Sequence, residues 1–273
     1  MDKILIDFTG VRATALLELY LRWLDSRDRR PILRDPWPQQ AIQRLDFDFS
    51  QFKSTAIGRF PVAVRSRVMD GWVAKYLANN PDALVLDLGC GLDFRVSRVG
   101  PPPGHHWYDV DFPDVIEVAR QLYPERAEHT TIGASVVDPG WLAQIPGDRP
   151  VVVVADGLFG FLSEEEARQV FRQIMDHFPR GEFIFNNISS SIKNRHEKRP
   201  SALFKKFSIE EKWALDDARG AEKLDDRLLF VDEENQLDTP LLARTPFYYR
   251  TLCALISMVP SWRESGWILR YQF

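Results

Sequence analysis

Ala83-Leu84-Val85-Leu86-Asp87-Leu88-Gly89-Cys90-Gly91 is an apolar run of strand length that empties into a turn with two glycines one residue apart. A glycine turn lets backbone come close to a ligand, because no Cβ stands in the way. Many strand-to-helix turns carry two glycines for backbone reasons alone, so the weight lies in what surrounds this one. His106 to Asp111 reads as a second strand, and Pro113 then opens a helix where its missing N–H costs nothing. Thr131 to Val137 is a third strand, and Val151 to Val154, β-branched throughout, is a fourth with both faces buried. Ser163 and Glu166 form a capping box ahead of the stripe Ala167, Val170, Phe171, Ile174 and Phe178; Pro179 and Gly181 end that helix, and Glu182 to Phe185 begins another strand. Strands alternating with helices predict an α/β fold with a Rossmann-like, mostly parallel, doubly wound sheet.

Outside this core, Leu16, Leu17, Tyr20, Leu21 and Leu24 recur at helical spacing before a break at Asp35-Pro36-Trp37-Pro38. A second helix carries Val68, Met69, Trp72, Val73, Tyr76 and Leu77 and stops at Asn79-Asn80-Pro81-Asp82. From about Ser189 to Asp238 the pattern weakens and charge is dense, as in Lys193 to Arg199; this reads as solvated loop and helix or as a cap over a site. A water-excluding lid has to come from outside the sheet, so a cap is expected. Trp267 to Phe273 reads as a final strand. One domain is therefore expected over 1–273, with an N-terminal helical cap (1–60), a cofactor-binding core (61–188), a cap insertion (189–240) and a C-terminal part of the core (241–273). The outer segments hold Trp23, Trp37, Phe47, Phe49, Phe52, Trp213, Phe247, Tyr248 and Tyr249. Such residues suit a flat apolar ligand, although most are expected to be core.

The 273 residues carry a net charge of −4 with both signs mixed along the chain, so neither nucleic acid nor a membrane is expected as a partner. MDKILIDFTG lacks the features of a secretion signal, and a cytoplasmic location is expected. Two cysteines exclude a disulfide framework, and the five histidines form no helical i, i+4 pair, so no metal site is expected. Oligomeric state leaves no mark in the sequence.

The third glycine of a dinucleotide fingerprint would fall at position 94, which is Phe94. That disfavours a nicotinamide oxidoreductase and favours a cofactor without a diphosphate, S-adenosylmethionine, packed on the Asp87–Gly91 turn with Gly89, Cys90 and Gly91. Asp111 lies 20 residues past Gly91, at the end of the second strand, where a carboxylate can accept both ribose hydroxyls. Asp109 shares its alternation parity, so either could face the ligand, with Phe112 beside it. Asp111 could also cap the helix at Pro113. Ile132 to Asp138, at the end of the third strand, stands where an adenine ring would be held, and Asp156-Gly157 ends the fourth strand in the ligand crevice of open α/β sheets. No side chain stands out as a general base; His105, His106 and His129 lie in or near loops.

With these stretches in view, together with Arg65 to Asp70, Leu92 to Arg98, Tyr108 to Ile116, Ser135 to Trp141 and Ala155 to Leu162, the chain resembles the leucine carboxyl methyltransferase family. The likeness is to its branch of bacterial polyketide O-methyltransferases of the tetracenomycin type, and it spans nearly the whole chain. It implies that Arg65, not its neighbour Arg67, holds the carboxylate of the cofactor's methionine part, as a planar guanidinium can. It also implies that Asp111 binds ribose and that Ser135 and Val136 contact adenine. The chain departs from the family where Asp is usual at Ser135, Glu at Asp156 and Tyr at Phe161. The resemblance implies methylation of a carboxylate or phenolic oxygen on a small polyketide-like acceptor. A protein C-terminal carboxylate, or cofactor binding without catalysis, are the alternatives. A carboxylate is ionised at neutral pH and needs no base, whereas a phenol, with pKa about 10, would benefit from one.

Overall fold

The structure, a computed structural model, describes residues 3–259 and 266–273; Met1 and Asp2 of the expected N-terminal cap and residues 260–265 of the C-terminal segment lie outside it. Seven strands form one sheet: β1 (Leu84–Leu88), β2 (Trp107–Asp111), β3 (His129–Gly133), β4 (Val151–Ala155), β5 (Gly181–Asn187), β6 (Leu229–Asn235) and β7 (Trp267–Gln272). Their order is β3-β2-β1-β4-β5-β7-β6. The first five pair in parallel, and β7 runs antiparallel to both β5 and β6. The mostly parallel α/β sheet is as the alternation of strands and helices predicts.

Strand parity assigns the two faces. Leu84, Leu86 and Leu88 of β1 and Val151, Val153 and Ala155 of β4 join one buried cluster, under the helix Glu164–His177. Val85, Val152 and Val154 join the other, with Met69, Val73 and Leu77. Asp87 and Asp156 share the parity of this second set, so both carboxylates turn towards the helices Arg59–Asn79 and Arg95–Val99. The helix under the first face starts on the expected capping box: Ser163 Oγ accepts from the Glu166 N–H at 3.1 Å, and Glu166 Oε2 accepts from the Ser163 N–H at 2.7 Å.

The N-terminal helix Ala13–Ser26, called α1 below, lies across the carboxyl ends of the strands. A Cβ on Gly91 would stand 3.3 Å from the Ala15 Cβ, so the glycine turn is in contact with α1. Most of the aromatic residues of the outer segments pack on one another. Tyr20, Phe47, Phe49 and Phe52 make a ring cluster beside α1, and Tyr249 lies 4.5 Å from Phe60.

Three sequence expectations are revised. The third strand ends at Gly133, and 134–138 form a turn, so the apolar run Thr131 to Val137 is only partly strand. The charged segment Leu229–Asn235, expected in the cap insertion, is the edge strand β6. Its outer face meets water, so it lacks the alternation of a buried strand. Within the segment expected to belong to the core, the helix Phe247–Ser257 sets Tyr249 and Cys253 against Ile32, Leu33 and Phe60, on the side of the N-terminal segment.

Candidate functional site

The strand order reverses between β1 and β4, and a cavity of about 210 Å³ opens there at the carboxyl ends of the strands. This is where open α/β sheets bind ligands. Its floor is Asp87, Gly89, Cys90 and Gly91 from the end of β1, Asp111 and Phe112 from β2, Ala134 to Val137 after β3, and Asp156 to Leu158 after β4. Val11, Arg12, Thr14, Ala15, Glu18 and Arg22 come down from α1 and the turn before it.

The glycines are required by geometry. Gly89 and Gly91 have φ of +65° and +58°, which side chains disfavour, and a Cβ on Gly89 would come within 3.0 Å of Leu158. Asp111 ties the turn to β2. Its Oδ2 accepts from the Gly91 N–H at 2.7 Å and its Oδ1 from the Phe112 N–H at 2.7 Å. Phe112 occupies the helix cap, with no side-chain cap bond, so Asp111 is not the helix cap. Burial pushes the Asp111 carboxyl up to about 6 although both N–H bonds pull it down. Each oxygen keeps lone-pair capacity for a further donor.

Asp156 is enclosed by donors. Ser66 Oγ donates at 2.7 Å, Arg95 Nη2 at 2.6 Å, and Arg65 Nε completes the set. Burial opposes its ionisation, but the Arg65, Arg95 and Arg22 guanidiniums outweigh that and hold the carboxyl well below the usual range. Arg95, 1% exposed, also donates to Asp87 at 3.0 Å and Asp70 at 2.8 Å; Arg98 donates to Asp70 at 2.6 Å, Asp93 at 2.7 Å and Asp35 at 2.8 Å.

The structure brings Asp87, Gly89, Cys90, Gly91, Asp111, Phe112, Ser135, Val136, Asp156 and Gly157 to one cavity. Two expected residues stand off it. The Asp109 carboxylate accepts from Trp107 Nε1 at 2.7 Å and pairs with His129 at 2.8 Å, and is spent on the fold. Arg65 is not among the lining residues but bonds two of them, its Nε on Asp156 and its Nη2 on Glu18 at 2.6 Å, beside Gly157; Arg67 is exposed. Glu18 and Arg22, both on the wall, were not legible. An i, i+4 Glu–Arg pair on a helix ordinarily marks a solvated face, and here it points inward.

Phe94, at the position of a third fingerprint glycine, is a core residue and does not line the cavity. It is 2% exposed, stacks on Tyr123 at 4.6 Å and meets the edge of Trp37 at 5.0 Å. At the far end the cavity is lined by Phe161, Leu162, Glu166 and Lys212. None of the five histidines lines it. The Ser163 N–H that donates to Glu166, with Lys212 nearby, holds its carboxyl below the usual range, so it is a poor proton acceptor. Among the described residues no cluster of three or more metal-binding side chains occurs, and no helix is long and apolar enough to cross a membrane.

The sequence model of leucine carboxyl methyltransferases matches residues 15–137. The chain is 36% identical over 268 residues, 98% of each chain, to the tetracenomycin polyketide synthesis O-methyltransferase TcmP of Streptomyces glaucescens. It is 31% identical over 244 residues, 81% of each, to the S-adenosyl-L-methionine-dependent methyltransferase dpfgK of Gibberella zeae. Among solved structures, a putative methyltransferase from Thermobifida fusca superposes with a TM-score of 0.62 at 15% identity, covering 96% of this chain and 94% of its own. A DUF574 family protein from Streptomyces avermitilis does so at 0.63 and 12%, covering 96% and 97%. These two likenesses concern the fold.

Proposed function

The chain belongs to the leucine carboxyl methyltransferase family, and on that premise we propose that it is an S-adenosylmethionine-dependent O-methyltransferase acting on a carboxylate or phenolic oxygen of a small polyketide-like acceptor. One observation carries the reading of the site: Asp111, hydrogen-bonded to the Gly91 N–H, joins the glycine turn to a ribose-accepting carboxylate on the wall of a single cavity. The residues present fit the cofactor. The wall has no Cβ at Gly89 and Gly91, apolar Val136 with Ser135 on the adenine side, and an excess of acidic over basic side chains that suits a sulfonium cation. The shorter Asp156, in place of the family's usual Glu, is compensated by three arginines and Ser66.

S-adenosylmethionine supplies a methyl group that is already electrophilic. The chain's own work is to hold the acceptor oxygen in line at about 3 Å and to keep water out. Phe161 and Leu162 line the far end with Lys212, which pairs with Glu166 at 3.6 Å, so an apolar acceptor with one anionic group suits that end. With no histidine on the wall and Glu166 held acidic, the site favours an oxygen that is ionised before it binds, a carboxylate ahead of a phenol.

Transfer of labelled methyl to aromatic carboxylic acids and to phenols, followed against pH, tests this. A carboxylate acceptor predicts turnover nearly flat from about pH 7 to 9, because its pKa of about 4 is long passed. A rate that climbs through that window indicates a phenol, and label recovered only on nitrogen or on protein rejects the acceptor class.

A further inference from the structure

The helix Phe247–Ser257 holds no charge except Arg250, and of its 11 residues only Tyr249 and Cys253 are buried. Those two pack on Ile32, Leu33 and Phe60. The rest of its surface is apolar and open. Phe247, Tyr248 and Leu255 are each more than half exposed, and Leu252 is exposed beside them. Met258 keeps a helical backbone, with φ of −72° and ψ of −18°, and carries the open surface on to Val259. A helix that is apolar all round belongs inside something. Phe247 and Tyr248 suit a flat ligand in sequence, but neither lines the cavity. We propose that this face is a dimer interface, pairing the helix with the same helix of a second copy of the chain, antiparallel about a two-fold axis.

Spacing, charge and area commit the face to a second copy. Tyr248, Leu252, Leu255 and Val259 are four, three and four residues apart, the seam spacing of packed helices, and that order reads the same in both directions. A two-fold contact needs this, because one patch must fit itself. About an axis between Leu252 and Leu255, Leu252 meets the partner's Leu255 and Tyr248 meets the partner's Val259. The same register sets Arg250 opposite the partner's Ser257, so no like charges meet. The open apolar surface is roughly 600 Å² per chain, and twice that clears the roughly 1,000 Å² of a specific interface. A lipid surface fits less well. An interfacial helix sets Lys and Arg on the side away from the membrane, and here that side is Tyr249 and Cys253, buried in the fold. The contact uses no residue that lines the cavity, so it stands whatever the cavity binds.

Sedimentation equilibrium on the full chain, from about 1 to 100 µM, tests this. The wild type should reach the mass of two chains within that range. Leu252→Glu and Leu255→Lys each put a charge on the seam, and each should lose at least about 10-fold in association and run as a monomer. Mixed in equal amounts, the two should recover the dimer, because the register sets position 252 of one chain against position 255 of the other, where the new charges are opposite. Leu229→Glu, on the edge strand β6, should stay dimeric. A wild type that stays monomeric overturns the proposal, and flotation of that monomer with phosphatidylglycerol vesicles would give the face to a membrane. A dimer that survives both helix variants overturns it too; if Leu229→Glu then breaks that dimer, the contact lies on the edge strand. Two monomeric variants that do not recover the dimer when mixed overturn the antiparallel pairing. Where a charged variant fails to fold, Leu252→Ala with Leu255→Ala removes seam area without charge and should still weaken the dimer about 10-fold or more; an unchanged dimer again overturns the proposal.

Discussion

Arg95→Met is expected to cost about 3–5 kcal/mol of folding stability, the range for breaking a buried ion pair by removing one partner. The side chain is 1% exposed and donates to Asp70, Asp87 and Asp156, so its loss takes a donor from three buried carboxylates at once and leaves Asp87 without the guanidinium that pairs with it. Methionine replaces the volume but offers none of the donors. For a chain of this size the midpoint of thermal unfolding should fall by on the order of 10 °C. Arg172→Met is the control: Arg172 is 53% exposed in its pair with Asp225, and exposed pairs are worth about 0–1 kcal/mol. Equal stability of the two variants would show that the buried network does not hold the fold.

Asp111→Asn should weaken S-adenosylmethionine by about one to two decades, since it removes a charged acceptor. An amide also brings an N–H₂ towards one of the two backbone N–H groups that Asp111 now accepts, which loosens the glycine turn. The wild type carries a pH signature that the variant should lose. Burial raises the Asp111 carboxyl to about 6, and on the proposed reading ribose hydroxyls bind its ionised form. A proton therefore competes with the ligand on the acid side: affinity strengthens as pH rises through about 6 and then levels off. Calorimetric titrations between pH 5 and 7.5 decide the matter; a flat affinity in the wild type, or an unchanged slope in Asp111→Asn, would remove Asp111 from the cofactor site.

The sheet and the cofactor turn were legible because their signals are local. Val151 to Val154 is β-branched and buried, Ser163 and Glu166 cap reciprocally, and the turn at Gly89 and Gly91 needs glycine. The spacing from Gly91 to Asp111 survives as an actual hydrogen bond. What the sequence hid depends on tertiary placement. Arg22 and Glu18 look like a surface pair until α1 is laid across the strand ends. The parity of Asp109 matches that of Asp111, but only the fold shows Trp107 and His129 closing on it. The edge strand β6 is charged on its open face and reads as loop. Arg65 could be marked in sequence only by resemblance, and the fold shows its guanidinium bridging two wall carboxylates, Asp156 and Glu18.

The central claim is that the cavity joined by Gly89, Gly91 and Asp111 holds S-adenosylmethionine, and that a turn with Phe94 in place of a third glycine does not serve a dinucleotide. Calorimetric titration of the full chain with S-adenosylmethionine and with NAD tests it most directly. S-adenosylmethionine should bind at one site per chain and be displaced by S-adenosylhomocysteine, while NAD gives no saturable heat. Saturable binding of NAD with no signal from S-adenosylmethionine would contradict the account.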